Sequence, residues 1–475
     1  MPLSEYEKQR LENIERNNEL LRQLEIPRLK VDRKRSASPS THTIKKHIPK
    51  KQHKEKQAPT RVSARLRGIA AENAPDHTTM GETNGGDSKV KEEAKRVDKL
   101  EDTKQQEFMQ MLDDMRRYPN LKPEDTKPVK KEDQDAQERL REEITRLKVN
   151  HTWATVKVTP ERINACVFHP SSSKILACAA DVSGSLGFWD VNNMKKEEDD
   201  EDEEPVVYTY RPHTRGITNM LFDPTNSDRL YTSSYDGTLR YFDMKNASFG
   251  LVDFGGERVP FTNFDMSQDG HNVWYSTSEG QVGFRDIRVK DGPSELEFHQ
   301  LREKKVGCVH LNPVNQNLLA VASNDRTLTI WDIRSLSEQT HEFSHGYSVT
   351  SAYWSPRGDK LVTASYDDYI RLFDFNESKN EMKLQSAIRH NNHTGRWVTN
   401  FRARWHQTAK EHQLFLIGNM KHPVDIFSGE TSEEIGELYD EERITAIQAV
   451  AQFHPTTENM TVVTGNGSGR MVCYS

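Results

Sequence analysis

Hydrophobic side chains are scarce: they make up 34% of the 475 residues, aromatics 8%, and charged residues 29%. A chain packed along its whole length needs more apolar surface, so a large part is expected to be disordered. No apolar run approaches the roughly 18–20 residues that cross a bilayer. The charged opening, residues 1–23, has no apolar stretch of the signal-peptide kind. These absences predict a soluble, intracellular protein with no membrane partner. Cysteine is also sparse. Cys166, Cys178, Cys308 and Cys473 form no C-x-x-C pair and stand near no metal-type histidine pair. Each falls in an apolar, strand-like stretch and reads as a buried reduced thiol, so no metal site is expected.

Catalytic signatures are missing too. The chain contains no G-x-S-x-G, no G-x-x-x-x-G-K-[ST] and no H-E-x-x-H. The glycine-rich run Gly465-Asn466-Gly467-Ser468-Gly469 precedes a strand-like stretch, not a helix, and reads as a turn. Histidines are scattered and no carboxylate pair is set apart by spacing. The expectation is a protein that is not an enzyme and has no catalytic residues, cofactor or small-molecule substrate.

What is present begins with charge asymmetry. The net charge is −7, yet residues 28–67 hold fourteen Lys/Arg against Asp32 and Glu55, about +12. The remainder is acidic, with eight consecutive acids at 197–204. A basic tail on an acidic chain suits a polyanion partner or a nuclear-import signal. Lys34-Arg35, Lys45-Lys46 and Lys50-Lys51 have the two-part form of such a signal. The expected location is the nucleus, with the cytoplasm as the alternative compartment. Ser38-Pro39 is a candidate phosphorylation site, whose added charge would weaken polyanion binding.

Four regions follow: a short charged helix over 1–26, a basic disordered tail over 27–88, a helical or linker segment over 89–150, and a repeat domain over 151–475. In the third region, Val97, Leu100, Phe108, Met111, Leu112 and Met115 keep mostly helical spacing. Leu140, Ile144 and Leu147 do the same over 134–148. These helices either pack on the domain or stand free, or they dock a partner.

Beyond residue 151 short apolar stretches alternate with Gly, Asp, Asn and Ser turns, and a repeat emerges. Its third strand ends in aromatic-Asp at Trp189-Asp190, Phe242-Asp243, Trp331-Asp332 and Phe373-Asp374. Arg285-Asp286, Asp425-Ile426-Phe427 and Val472-Cys473-Tyr474 are weaker copies. First turns such as Phe222-Asp223-Pro224 and Trp354-Ser355-Pro356, and second turns such as Tyr235-Asp236-Gly237 and Asn324-Asp325, recur in phase. Seven copies are counted, at 161–191, 212–246, 258–289, 302–335, 344–376, 395–429 and 442–475. The pattern predicts an all-β, seven-bladed WD-repeat propeller, closed by an outer strand from 152–159. The aromatics at the strand ends are expected to pack between blades, and Asp236, Asp325 and Asp367 to bond turn amides.

Two places depart from blade packing. One is Arg389-His390-Asn391-Asn392-His393-Thr394-Gly395-Arg396-Trp397, between blades five and six. Cations, amides and a large aromatic on a predicted loop suit phosphates and unstacked bases; the alternative is an ordinary loop with Trp397 tucked into the sheet. The other is Arg302-Glu303-Lys304-Lys305, opening blade four. Within the basic tail, Arg61, Arg65 and Arg67 are regularly spaced, suiting a groove or an acidic protein surface.

The chain resembles the fungal DNA damage-binding proteins of the changed-mutation-rate type, relatives of the small subunit of the damage-specific DNA-binding protein. The resemblance rests on Tyr6-Glu7-Lys8-Gln9-Arg10-Leu11-Glu12-Asn13-Ile14, on Ser63-Ala64-Arg65-Leu66-Arg67-Gly68, on the blades and on Thr394-Gly395-Arg396-Trp397. It implies binding of single- and double-stranded DNA, with a preference for ultraviolet-damaged DNA, in DNA metabolism and the damage response. In the repair relative a loop at the position of 390–397 wedges into the duplex beside an extruded lesion. By that likeness Trp397 or His393 is the tip, with Arg396, Lys304 and Lys305 on phosphates. The aromatic-Gln-His tip of the repair relative is absent here, so the likeness carries DNA binding further than it carries that wedge. The same relatives use Trp-Asp-x-Arg motifs to dock on a cullin–RING ubiquitin-ligase adaptor. Trp331-Asp332-Ile333-Arg334 matches in full, and Asp286-Ile287-Arg288 in part. The alternative function is a WD-repeat scaffold, either a substrate receptor of such a ligase or a chromatin adaptor.

Overall fold

A computed structural model describes residues 102–116, 134–196, 203–255, 259–289, 298–407, 412–456 and 460–475. The expected first helix, the basic tail with Arg61, Arg65 and Arg67, the import-type pairs and Ser38-Pro39 lie outside the described residues. So do Val97, Leu100 and most of the acidic run.

The strands, β1 to β28 in chain order, form seven antiparallel four-stranded sheets. The seven-bladed propeller expected from the repeat is the fold. The first strand of each blade lies innermost: β2 (Ile163–Phe168), β6 (Ile217–Phe222), β10 (Phe261–Met266), β14 (Val306–Leu311), β18 (Val349–Trp354), β22 (Arg404–Trp405) and β26 (Gln448–Phe453). The ring closes through β1 (Val156–Lys157), which pairs Val156 with Met471 of the last strand, β28 (Arg470–Tyr474). That strand is shorter than the 152–159 stretch expected to supply it. Upstream, Lys148 and Ser475 exchange backbone hydrogen bonds, extending the clasp.

Each blade must bury both faces, and the second strands show how. Leu176–Asp181, Leu318–Ser323 and Lys360–Ser365 are buried at every residue. Their Ala and Ser side chains let neighbouring blades approach, while Trp189, Phe242, Trp331 and Phe373 fill the gaps between them. Trp189 sits opposite Ala177, and Trp331 opposite Leu319. The four cysteines are buried free thiols.

The second turns are held by their acids. Asp236 accepts from the Thr238 and Thr214 amides, Asp325 from Thr327 and Asp367 from Gly346. Burial alone would raise the Asp236 carboxyl, but hydrogen bonds from His213, Thr238 and Thr214 outweigh it and hold it well below the ordinary range. The turn residue after the acid is glycine with positive φ at Gly237 and Gly280. A Cβ at Gly280 would come 2.0 Å from the Arg302 carbonyl oxygen, so no side chain fits there.

Two helices precede the ring. Helix α1 (Asp102–Arg116) buries Phe108, Met111, Leu112 and Met115, an i, i+3, i+4, i+7 set. Phe108 enters an aromatic cluster with Phe188, Tyr208 and Tyr210 of blade one and Phe242 of blade two, centroids 4.6–6.1 Å away. Helix α2 (Gln134–Arg146) lays Ile144 on blade six. Gly436 makes that possible, since a Cβ there would come 2.8 Å from the Ile144 Cγ2. Both helices therefore pack on the domain. Among the described residues, no helix is long and apolar enough to cross a membrane.

Candidate functional site

Inner strands run the same way in every blade, so the ring has two unlike faces. The upper face carries the loops leading into the inner strands and the second turns. The lower face carries the first turns and those joining third and fourth strands. The two regions singled out in the sequence, 302–305 and 390–397, both lie on the upper face.

Ring closure brings them together. A cavity of about 510 Å³ opens at the channel mouth, and Lys305, Thr394, Gly395 and Arg396 line it together with Arg162 and Arg402. None of its lining residues is acidic. Lys305 donates to the Tyr235 hydroxyl at 2.9 Å and lies 5.1 Å from that ring's centroid. Arg162 donates to the Arg396 carbonyl at 2.7 Å, and Arg402 to the Thr218 carbonyl at 3.2 Å. The Arg396 guanidinium stacks 5.2 Å over Trp397. Neutral oxygens and π faces thus hold all four cations, and among the described residues no carboxylate forms an ion pair with them. The Arg162 Nε is shut off from solvent without an acceptor.

Below the mouth, Arg404 of blade six crosses to Asn219 of blade two and lies 4.0 Å from the Tyr353 ring centroid. Its charge reaches Asp265 and His310 on blades three and four. Both keep some exposed surface, but the protein packed around them disfavours charge, pushing Asp265 up to about 7 and His310 down to about 3.

The loop beyond blade five differs from expectation in part. Arg389 ends the outer strand β21 (Glu381–Arg389), and that strand absorbs part of the insertion. His390, Asn392 and Thr394 are buried as anchors: His390 bonds Asn392 at 2.8 Å and Asp425 at 3.1 Å. The tip projects. Trp397 is not tucked into the sheet but 77% exposed, and His393 packs edge-on against Tyr366. In the other region, Arg302 is spent on Asp325 and Glu342, 2.5 and 3.4 Å away. Lys304 is exposed and makes no ion pair among the described residues.

Sequence reading missed Arg162 and Arg402, and also Arg326. Arg326 takes φ +78° at a turn position that is glycine in blades one, two, three and seven, and that Asp368 and His422 also hold with positive φ in blades five and six. That backbone costs a non-glycine residue about 1 kcal/mol. It places the guanidinium 5.5 Å over Tyr347, which is 58% exposed. Among the described residues the upper face therefore carries three cation–aromatic pairs without a neutralising acid: Lys305–Tyr235, Arg326–Tyr347 and Arg396–Trp397.

Comparison with known proteins meets this geometry. The WD domain, G-beta repeat family matches residues 204–243, 294–332 and 337–374. A Phaeosphaeria nodorum protein called DNA damage-binding protein CMR1 is 35% identical, over 99% of this chain and 98% of its own length. A protein of the same name from Aspergillus oryzae is 34% identical over 99% of both chains. One from Scheffersomyces stipitis is 30% identical over 99% of both.

The chain belongs to the CMR1 family.

The expected kinship with fungal proteins named for binding damaged DNA is thus shown across the full length. As a CMR1-family chain, it carries its exposed aromatic and uncompensated cations on one face of the ring.

The lower face holds the Asp-x-Arg motifs. The Arg288 Nη2 and Asp286 lie 2.6 Å apart, and so do the Arg334 Nη2 and Asp332. The Arg288 hydrogen bond holds the Asp286 carboxyl down at about 2. Both arginine side chains are exposed, at 61% and 69%, whereas Trp331 is buried and bonds Thr329. Trp331 thus supports its motif from within. A cavity of about 550 Å³ beside Arg334 is walled by Trp274, Phe284 and Leu336.

Proposed function

We propose that this protein binds DNA through the upper face of its propeller, preferring ultraviolet-damaged duplex and also taking single strands, in DNA metabolism and the damage response. The observation that carries this is the joining of Lys305 and Arg396 in one acid-free cavity beside an exposed tryptophan. Uncompensated cations attract phosphates, and exposed aromatic faces stack on unpaired bases. A lesion has already lost stacking, so its base leaves the duplex more cheaply and meets Trp397 more readily. Lys304 and His393 flank these contacts, and Arg61, Arg65 and Arg67 of the basic tail add affinity that does not depend on sequence or damage. The role is binding, not catalysis, and the location is nuclear.

Full-length protein is expected to bind a short irradiated duplex more tightly than the same duplex unirradiated, with affinity falling steeply as salt rises. Fluorescence anisotropy over a salt series measures both. Equal, weak binding to irradiated duplex, plain duplex and an unrelated polyanion would refute the reading.

A second surface is favoured by the matching Arg288 and Arg334 forks on adjacent blades. An adaptor of a cullin–RING ligase is the partner that fits these motifs; a chromatin protein is the alternative. Each arginine is pre-set by its own aspartate and points a charged, exposed group from the lower face. Replacing both with alanine is expected to abolish adaptor capture in pull-down while leaving DNA binding as it was. Capture that survives both changes would remove this surface.

A further inference from the structure

The channel mouth holds more positive charge than a strand lying across the face requires. We propose that it is a pocket for the terminal phosphate of a single DNA strand, so that the protein recognises strand ends. The inference rests on the DNA-binding reading and adds a specific ligand to it.

Three observations carry it. The first is the charge of the mouth. Arg162, Lys305, Arg396 and Arg402 line one cavity without an acid, and each is positioned by a carbonyl, a hydroxyl or a ring. Two other upper-face arginines are neutralised, Arg302 by Asp325 and Glu342 and Arg371 by Asp367, while Arg326 stacks on Tyr347 away from the mouth's lining. Four like charges converging without a counter-ion are unfavourable until an anion joins them. A terminal phosphate carries between about 1.5 and 2 negative charges near pH 7, against one for a phosphodiester within the strand. The terminal group is therefore the better match.

The second is shape. The cavity is about 510 Å³, within the range of small-ligand sites. Beneath it Arg402 and Arg404 reach across from blade six to Thr218 and Asn219 of blade two. A strand end enters such a recess once. An internal phosphate would need the chain to enter and leave through the same mouth.

The third is the supply of further donors and stacking surfaces. Asn400 accepts from the Tyr366 hydroxyl at 2.6 Å, which leaves its amide nitrogen as a donor beside the cavity. Trp397 and Tyr347 stand exposed nearby, where bases following the terminal nucleotide would emerge and stack.

The test uses full-length protein and one oligonucleotide sequence in four forms: 5′-phosphorylated, 3′-phosphorylated, hydroxyl-ended and covalently circular. The readout is the ratio of affinities, in which the contribution of the basic segment 28–67 cancels. One phosphorylated end is expected to bind about fivefold tighter than the hydroxyl-ended strand, and the circle no better than the latter. Arg402→Gln and Lys305→Gln should each bring that ratio close to one. Lys305 is at the rim and outside the packed core, so its variant keeps the test decisive if Arg402→Gln fails to fold.

Equal affinity for all four forms would overturn the proposal, and so would a preference that persists in both variants. If hydroxyl-ended strands and irradiated duplex still bind, only the end pocket falls; if no DNA binds, the functional reading falls with it. A phosphoserine peptide that binds in an Arg402-dependent way, with no effect of strand ends, would also overturn the proposal and assign the mouth to a phosphoprotein.

Discussion

Replacing Phe108 with alanine is expected to destabilise the protein by about 3–5 kcal/mol, although the residue lies well before the first repeat. Its ring is fully buried among Phe188, Tyr208, Tyr210 and Phe242, so truncation removes aromatic contacts and leaves a cavity that blades one and two close only in part. Urea unfolding measures the change. Met109, one position along the same helix, is only partly buried, and its replacement by alanine should cost clearly less. A loss below about 1 kcal/mol for Phe108→Ala would mean that α1 does not hold the ring in solution. A chain begun at residue 151 loses both helices and exposes the blade surfaces they cover, so it should unfold more readily still.

The second large effect concerns Trp397 and Arg396. Trp397 supports little of the fold, since 77% of its surface is exposed, and alanine there should change stability by less than about 0.5 kcal/mol. Loss of one base-stacking partner is worth about 1–3 kcal/mol, which is roughly 5- to 150-fold in affinity. Arg396→Ala removes one cation from the mouth while keeping the carbonyl that Arg162 uses. It should therefore lower the salt slope of binding by about one. The two residues touch, so the double variant should lose less than the two single losses added together.

The ring was largely legible in the sequence because each blade repeats the same demands. Small residues in the second strand, an aromatic at the end of the third and an acid in the second turn mark every well-kept copy. Even the closing strand could be placed, since the last blade lacks a fourth strand of its own. The helices were legible as helices, but periodicity cannot say which surface an apolar stripe covers. Phe108 meets residues 80 to 134 positions further along.

The site was legible only in fragments. The composition of 390–397 drew attention to a loop whose tip is exposed, yet it gave no warning that His390, Asn392 and Thr394 are buried anchors. The pairing of Arg302 left no mark in the 302–305 segment, because its partners Asp325 and Glu342 come from elsewhere in the blade. Arg162 and Arg402 were missed because neither belongs to a basic run that stands out from ordinary blade sequence. Only the circular arrangement, which places the starts of all inner strands around one mouth, sets 162, 305, 396 and 402 together. Aligning the repeats at those starts would have revealed them.

On the proposed function, the propeller's upper face, and not the basic tail alone, recognises DNA. The direct measurement compares full-length protein with its Arg396→Ala/Trp397→Ala variant on irradiated and unirradiated duplex of one sequence. The predicted result is that the variant loses the preference for irradiated DNA and keeps only weaker, salt-sensitive binding that treats both duplexes alike. An irradiated-over-plain ratio that is unchanged in the variant would contradict the claim and place recognition elsewhere in the chain.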